Sequence, residues 1–316
     1  MHWQSVLEPQ GPQAAHLHWL IFVFFGVCAV VWLLVMLVLL LGLLRRRPAP
    51  VPPLPANPAS ERRAGVIVGS AVGATVLVIS ALTVLSAVTT HAISADPSDP
   101  LLVQIRGHMW WWEITYEGDR PDHAFITANE LHVPVGRTIQ LELSADDVIH
   151  SFWVPNLAGK MDLIPGRDNQ LSFSADHAGL YRGQCSQFCG LEHAHMALFV
   201  VAEDPAAFER WRASQIAEAA QAATPEQARG RDVFASRQCA ACHTIRGTPA
   251  NGNIGPDLTH VGGRAWVGAG LLPTTRGSLA AWIADPQGVK PGTNMPMVPL
   301  GADELKDVSA YLAALK

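Results

Sequence analysis

The stretch that decides the fold of this chain is C-S-Q-F-C-G-L-E-H-A-H-M, residues 185–196. These twelve positions contain two thiols, two imidazoles and a thioether. A further histidine, His150, lies 35 residues upstream in V-I-H-S-F-W-V-P. Soft sulfur ligands together with imidazoles form the ligand set that suits copper in a one-electron role. The stretch therefore predicts a copper centre for electron transfer, built from two loops that a rigid scaffold brings together.

The spacing of the two cysteines predicts a site for two copper ions. Cys185 and Cys189 are four residues apart on one loop, so each thiolate can bridge both ions. His150 and His193 would then cap one ion each, and Met196 would be a weak further ligand. A blue single-copper site needs only one cysteine, and zinc normally takes four ligands without an outlying methionine. A disulfide between the two cysteines is the alternative that needs no metal.

Two other positions in this loop have expected roles. One copper ion still needs a weak ligand, and the main-chain carbonyl of Gln187, between the cysteines, is placed to supply it. His195 falls between the ligand positions at the wrong spacing. We expect His195 to be exposed or to lie behind the ligands.

Short segments with alternating apolar residues surround the copper loops and predict strands. They are V-Q-I-R-G (103–107), T-I-Q-L-E-L-S (138–144), N-Q-L-S-F-S-A (169–175) and A-L-F-V-V-A-E (197–203). Such a period, with Gly, Pro and Asp between the segments, is typical of an antiparallel sandwich or barrel. We predict an all-β domain over residues 92–202 and a helical linker over 203–225.

Two long uncharged stretches precede this domain. Residues 19–44 and 64–90 each exceed the roughly 20 residues that cross a bilayer core as a helix. The chain as a whole is 49% hydrophobic and only 16% charged, a balance that favours a membrane protein. We predict a transmembrane hairpin within residues 1–91, with helices at about 17–44 and 64–90.

The connection between these helices, residues 45–63, predicts the orientation in the membrane. It is rich in proline, which predicts an extended segment, and it carries five arginines. Short arginine-rich loops stay in the cytoplasm. Both the N-terminus and the domains after the hairpin are therefore expected on the periplasmic side of a bacterial-type inner membrane. No basic stripe with interleaved aromatics is present, so nucleic acid is not an expected partner.

A second cofactor motif, C-A-A-C-H, follows the linker at residues 239–243. It is the signature for covalent attachment of haem c. The thiols of Cys239 and Cys242 would add to the haem vinyl groups, and His243 would bind the iron from the same helix. Zinc is the usual alternative for closely spaced cysteines, but no second Cys/His pair occurs here. His260 alone is expected at the surface.

The haem iron needs a sixth ligand. Ligation by Met and His raises the potential of cytochromes c. The candidates are Met295 and Met297 in P-G-T-N-M-P-M-V-P. Helical patterning over 226–316 predicts an all-α domain around this haem.

The first 212 residues resemble a known family. H-S-F-W-V-P, D-L-I-P-G-R and C-S-x-x-C-G-x-x-H-x-x-M, after two membrane helices, are similar to subunit II of cytochrome c oxidases over about residues 15–212. The resemblance implies a cupredoxin-like Greek-key domain with a binuclear copper centre, CuA. The implied ligands are His150, Cys185, the Gln187 carbonyl, Cys189, His193 and Met196.

The same resemblance assigns a role to the aromatic stretch G-H-M-W-W-W-E-I-T-Y, residues 107–116. In this family an aromatic residue here lies between incoming cytochrome c and CuA, and Trp110 is the matching position. Neighbouring residues of a strand point to opposite faces, so at least one of the three tryptophans is expected to be exposed. An aromatic belt at the membrane surface is the alternative.

The chain departs from the oxidase family at Gln187. Most subunits II have Glu there, and its carboxylate helps to bind magnesium or manganese against the large subunit. A main-chain copper ligand does not depend on the side chain, but a hard divalent ion favours an anionic oxygen. Copper binding is expected to survive, whereas a magnesium or manganese site is expected to be weak or absent.

Residues 226–316 resemble small soluble-type cytochromes c. This resemblance favours Met295 over Met297 as the sixth ligand. It also accounts for Gly230 and Phe234 before the motif. Pro256 is expected to pack near the haem histidine and leave a backbone carbonyl to hold its ring.

Together the two sites predict an electron relay. A donor would reduce haem c, haem c would reduce CuA, and CuA would pass electrons to the oxygen-reducing subunit I, with subunit III as a further partner. The expected donor is a cytochrome c or a quinol-cytochrome c reductase. A nitric oxide reductase built on the same plan is the nearest alternative, and a membrane-anchored copper chaperone is another.

The distribution of charge predicts how the two domains dock. Residues 92–225 carry 8 basic and 18 acidic side chains, whereas residues 226–316 carry 9 and 7. Net charges of −10 and +2 favour docking by electrostatic complementarity.

Overall fold

The computed structural model describes residues 4–45, 58–93, 99–118 and 120–316. They form two compact units. One unit contains the two long helices within residues 16–95, and the other contains the N-terminal segment up to residue 15 together with the chain from residue 96 onwards.

Among the described residues, two helices are long and apolar enough to cross a membrane. They are α1, Pro12–Leu44, and α2, Pro58–Ile93. The second begins before the predicted position, so Pro58–Arg63 is helical rather than extended. Proline suits the first turn of a helix because its fixed φ is helical and its missing N–H would have no partner there. The rest of the predicted extended connection, residues 46–57, lies outside the described residues.

Ten strands form the next domain. They are β1 Leu101–His108, β2 Trp111–Tyr116, β3 Phe125–Ala128, β4 Glu130–Pro134, β5 Ile139–Ala145, β6 His150–Phe152, β7 Met161–Leu163, β8 Asn169–Phe173, β9 Gly179–Gln184 and β10 Ala197–Glu203. A five-stranded sheet has the order β3-β2-β1-β5-β8, a three-stranded sheet has the order β4-β10-β9, and β6 pairs with β7.

The two larger sheets are mixed rather than purely antiparallel. Strands β1 and β5 run parallel, as do β4 and β10, and the other pairs are antiparallel. Parallel neighbours need long connections, and here β2, β3 and β4 lie between β1 and β5 in the chain. Alternate residues of β1 and β5 are buried, including Val103, Ile105 and Leu141. Burial therefore alternates along these strands as the sequence predicted, and one face of this sheet lies in the core.

Helices make up the C-terminal part. They are α3 Pro205–Ile216, α4 Pro225–Ser236, α5 Cys239–Cys242, α6 Arg276–Ala284, α7 Pro286–Val289 and α8 Ala302–Ala314, with a two-stranded ribbon of β11 Trp266–Val267 and β12 Leu272–Pro273. Helix α3 lies within the predicted linker. Helices α4 and α8 cross at Gly230, where a Cβ atom would lie 2.1 Å from the carbonyl oxygen of Asp307. The rings of Phe234 and Tyr311 meet edge-on beside this crossing.

Gly230→Ala is expected to destabilise the helical domain by about 2–3 kcal/mol, the upper range for overpacking a core. The atom that the new methyl group meets is helix backbone, so the two helices must move apart. The matched control is Gly277→Ala in α6, where the only atom near a new Cβ is the Thr275 hydroxyl at 3.8 Å. Denaturant unfolding of the haem-loaded protein, followed by haem absorbance, measures both. Equal unfolding free energies for the two variants would contradict this packing.

Candidate metal and haem sites

Two loops of the β domain converge at the predicted copper site. One is the loop of residues 185–196, between β9 and β10, and the other ends at His150 at the start of β6. The amide of Cys185 donates to the carbonyl of Met196 at 3.0 Å and closes the first loop at its base. The amide of Ser186 donates to the carbonyl of Ser151 at 3.0 Å and joins the two loops. Backbone hydrogen bonds therefore hold the ligand segments before any metal binds.

The side chains expected to bind copper form one cluster. The two Sγ atoms of Cys185 and Cys189 lie 3.7 Å apart, too far for a disulfide, so the pairing alternative does not describe this structure. His150 Nδ1 is 3.9 Å from Cys185 Sγ, and His193 Nδ1 is 3.6 Å from Cys189 Sγ. Met196 Sδ is 3.9 Å from Cys189 Sγ. Two thiols with one imidazole at each end fit a pair of soft metal ions.

The Gln187 carbonyl also faces the cluster. Its oxygen lies 3.2 Å from Cys185 Sγ, while its side chain is exposed. The backbone thus presents an oxygen to the site whichever side chain stands at this position.

Asp147 orients the buried ring of His150. Its Oδ1 accepts from His150 Nε2 at 2.8 Å, which leaves Nδ1 free to face the thiols. Burial by itself lowers the pKa of His150, but the bonds to Asp147 and Cys185 outweigh it and raise that pKa. Burial by itself raises the pKa of the Asp147 carboxyl. Hydrogen bonds from His150 and from the amides of Val148 and Met109 outweigh burial, so this pKa is lowered. Asp147 was not predicted from the sequence, although an acidic residue three positions before a candidate ligand was a usable signal.

The pKa values of the two thiols are shifted in opposite directions. The hydrogen bond from Cys189, together with the one to His150, holds the pKa of Cys185 well below its usual range, at about 4. The neighbouring Cys185 and burial raise the pKa of Cys189. These opposite shifts favour the thiolate form at Cys185 over the thiolate form at Cys189.

The two cysteines of the haem motif lie on the short helix α5, and His243 directly follows it with extended backbone rather than on the same helix as predicted. His243 Nδ1 pairs with the Pro256 carbonyl at 2.7 Å, as the resemblance to cytochromes c implied, so Nε2 is the atom left for iron. Burial lowers the pKa of His243, which favours the neutral imidazole that can bind a metal. Gly255 makes room for this ring, since a Cβ there would lie 2.6 Å from His243 Cε1.

A cavity of about 380 Å³ opens beside this helix. Its walls include Cys239, Cys242, His243 and Met295, with apolar side chains from α4, α6 and α8. Two thiols, an imidazole and a thioether around an apolar space fit a covalently bound haem. Met297 is 65% exposed and does not line the cavity.

Buried hydrogen bonds and stacked rings join the haem domain to the copper domain. Both the Ala265 and Trp266 amides donate to Glu130 Oε1, and the rings of Phe199 and Trp266 stack at 5.4 Å. Within residues 99–118 and 120–316, no carboxylate–cation pair shorter than 4 Å joins the two domains. Docking by opposite net charge stays a prediction, because net charge acts over distances longer than a single ion pair.

The prediction of an exposed tryptophan is wrong for residues 110–112. Trp110 and Trp112 are buried, and Trp111 is half-buried against the ring of His108. Trp110 lies in the turn between β1 and β2, two residues before Trp112, and both side chains belong to the core of the copper domain. The ring of Trp110 also approaches Gly292 of the haem domain, so the packing of that domain contributes to its burial.

Two other histidines have clear positions. His195 is 52% exposed and pairs with Glu192 at 2.6 Å, as expected for a residue outside the ligand set. His260 is buried, contrary to the surface position predicted for it, because its Nε2 pairs with the Ala217 carbonyl of the linker at 3.1 Å.

Comparison with known proteins covers both domains. Residues 122–203 match the family described as cytochrome C oxidase subunit II, periplasmic domain, and residues 227–316 match the family described as cytochrome c. The whole chain is similar to cytochrome c oxidase subunit 2 of Alkalihalophilus pseudofirmus. That relative is 31% identical over 319 residues, which cover 99% of this chain and 91% of the relative. The chain belongs to the cytochrome c oxidase subunit II family.

Two further proteins are similar to parts of this chain. Cytochrome c oxidase subunit 2 of Bacillus subtilis is 30% identical over 229 residues, 69% of this chain and 63% of that relative. The periplasmic domain of subunit II of cytochrome oxidase (CoxB) of Bradyrhizobium japonicum is 30% identical. It matches 38% of this chain and 95% of its own length, with a TM-score of 0.35.

Membership of the subunit II family confirms several predictions. The chain is a membrane-anchored subunit of an oxidoreductase complex and partners with other subunits of a haem-copper oxidase. It combines two apolar helices, a cupredoxin-like β domain and a helical cytochrome c domain. The relatives named above are oxidase subunits, so the comparisons do not favour a nitric oxide reductase or a copper chaperone.

Proposed function

We propose that this subunit receives electrons at haem c, passes them to a binuclear CuA centre and delivers them to subunit I for reduction of oxygen to water. One observation carries the proposal: Trp110 contacts both sites. Its indole Nε1 donates to the Cys189 carbonyl at 2.8 Å, and the residue also lines the cavity shared by Cys239, Cys242, His243 and Met295. A single aromatic side chain therefore connects the haem cavity to the copper cluster.

Two glycines hold the Trp110 ring between the domains. A Cβ at Gly190, in the copper loop, would lie 3.1 Å from Trp110 Cζ2, and a Cβ at Gly292, in the haem domain, would lie 3.5 Å from Cη2. Both glycines have positive φ, +110° and +84°, which other residues rarely adopt. This close approach supports Trp110 as the residue through which electrons reach CuA.

The copper ligands in this proposal are His150, Cys185, Cys189, His193, Met196 and the carbonyl of Gln187. A copper pair bound there would accept and release one electron at a time. The chain's own contribution is rigidity. Asp147 fixes one imidazole, and backbone hydrogen bonds close the ligand loop, so the donor atoms move little when the charge of the site changes.

The haem ligands in this proposal are Cys239 and Cys242 for attachment, with His243 and Met295 on the iron. A haem bound there would supply a one-electron centre with a raised potential. The Pro256 carbonyl holds the histidine ring, and the apolar cavity excludes water from the iron.

Both cofactor domains are placed outside the membrane in this proposal. The arginine-rich connection between the membrane helices favours a cytoplasmic loop, which puts both cofactor domains on the periplasmic side. A donor there would be a cytochrome c or a quinol-cytochrome c reductase, and the partners would be subunits I and III. The proposal includes no magnesium or manganese ion, because the Gln187 amide lacks the charge that such an ion favours.

The relay is tested by flash reduction of haem c in the intact oxidase complex, with haem and copper absorbance recorded in time. In the unmodified protein, haem oxidation and copper reduction are expected to share one rate. Trp110→Ala is expected to slow that rate by about tenfold or more, the scale on which misplacing a reacting group acts. Consumption of oxygen by the same complex identifies the terminal acceptor.

The adjacent Trp111→Ala is the matched control, since Trp111 also borders the cavity but stacks on His108 instead of bonding to the copper loop. The relay is rejected if copper is reduced without passage through haem. The role of Trp110 is rejected if both variants transfer electrons equally fast.

A further inference from the structure

A lysine lies buried between the two redox sites. Lys290 follows α7 at the start of the loop that carries Met295, and its relative exposure is only 2%. Its Nζ donates to three carbonyls: those of Trp110 and His195 in the copper domain, both at 2.7 Å, and that of Gly268 in the haem domain at 3.2 Å. An ammonium has three N–H donors, so all three are used.

The three carbonyls come from segments that matter for electron transfer. Trp110 contacts both sites, His195 directly precedes the copper ligand Met196, and Gly268 belongs to the ribbon that lies against the copper domain. The lysine backbone belongs to the haem side, where its carbonyl accepts from the Thr293 amide at 3.1 Å in the loop before Met295. The Lys290 side chain thus connects the haem-domain loop that carries Met295 to the copper-domain loop that carries Met196.

The charge on this lysine is compatible with its burial. Burial lowers the pKa of Lys290 to about 8, while Glu192 and Cys189 act in the opposite direction. The ammonium form therefore predominates at neutral pH. A methionine of similar length would fill the space, but it would leave three carbonyls without a donor.

We infer that Lys290 is a positioning residue for the haem-to-copper electron transfer: it fixes the haem domain on the copper loop and places a buried positive charge beside both redox sites. The inference rests on the proposed relay. One electron moves from the haem cavity to the copper site, with no bond made or broken. Lys290 keeps the two domains docked and so sets the distance that this electron crosses. The positive charge of Lys290 favours the reduced state of each centre.

Lys290→Met in the intact complex tests this role by three measurements. The haem-to-copper rate after flash reduction is expected to fall by about tenfold or more, because each hydrogen bond from a charged donor is worth roughly a factor of ten in a docking equilibrium. Amide hydrogen exchange is expected to become faster in the segments around Trp110 and residues 290–297. The haem midpoint potential is expected to fall, since a buried cation no longer stabilises the reduced state.

Lys306→Met is the matched control, because it removes the same charge from the haem domain at a side chain that is 65% exposed. If Lys290→Met does not accumulate, Lys290→Gln, which is also uncharged, replaces it in all three measurements. Equal rates or equal amide exchange in the lysine variant and the control would overturn the inference. If the unmodified protein shows no haem-to-copper transfer, the relay itself fails, and the exchange data still decide whether Lys290 holds the domains together.

Discussion

Cys189→Ser is expected to abolish the mixed-valence copper absorbance and its EPR signal completely while leaving haem c attached. The Sγ atoms of Cys189 and Cys185 lie 3.7 Å apart, and both are needed if two copper ions are to be bridged. Serine offers a hard, shorter oxygen ligand that does not suit copper in this role. The haem cysteines belong to a different core, on the other side of the linker, so haem attachment does not depend on the copper loop.

Near-infrared absorbance, EPR and haem staining of the denatured chain measure this outcome. Cys28→Ser is the matched control, because that thiol lies exposed on α1 and belongs to neither cofactor motif. Loss of haem from a Cys189→Ser protein that remains folded would show that the two domains do not assemble independently. It would also reject the assignment of two separate sites.

Met295→Ala is expected to lower the haem potential by roughly 0.1 V or more, within the ~0.8 V range over which axial ligands set haem potentials. Met295 lines the haem cavity, and Gln287 holds its loop by donating to the Thr293 carbonyl at 2.7 Å and to the Met295 carbonyl at 3.2 Å. Removal of the thioether leaves the iron without the ligand that raises its potential. The weak sulfur-to-iron band of the oxidised haem should disappear together with the change in potential.

Met297→Ala provides the comparison, since this residue lies two positions further along the same loop with its side chain in solvent. Potentiometric titration of both variants should show a change in the first alone. A fall in potential in Met297→Ala alone would assign the ligand role to Met297. The loop would then have to change conformation when haem binds, so that the Met297 side chain enters the cavity.

The cofactor motifs could be predicted because each is almost complete within a short segment. Cys185, Cys189, His193 and Met196 lie on one loop, and Cys239 and Cys242 lie on one turn of helix that His243 directly follows, so local spacing alone brings most of each donor set together. His150 lies 35 residues upstream and was predicted from the ligand chemistry, because a pair of copper ions needs a second imidazole. The structure agrees with these placements, and the roles of the residues remain to be tested by the variants above.

Helix limits and sheet direction were predicted less well. Hydrophobicity identifies the apolar part of a helix that can cross a membrane. A helix can begin in polar residues before that part, so the start of α2 at Pro58 was missed. Alternating residues predict strands, but they do not show whether neighbours run parallel. The pairing of β1 with β5 depends on the path of the chain through three intervening strands.

The amino-acid sequence alone predicted the two long apolar helices and the two cofactor motifs, because each depends on residues that are close together in the chain. It could not reveal Glu130 beneath the β11 ribbon or Lys290 between the two sites. These side chains acquire their roles from backbone atoms that packing brings to them, in the case of Lys290 from a position 180 residues away. The contacts of Trp110 have the same origin, since its ring lies between Gly190 of the copper loop and Gly292 of the haem domain. Spacing in the sequence shows which residues are local neighbours, whereas the docking of a second domain determines which distant residues meet at a redox site.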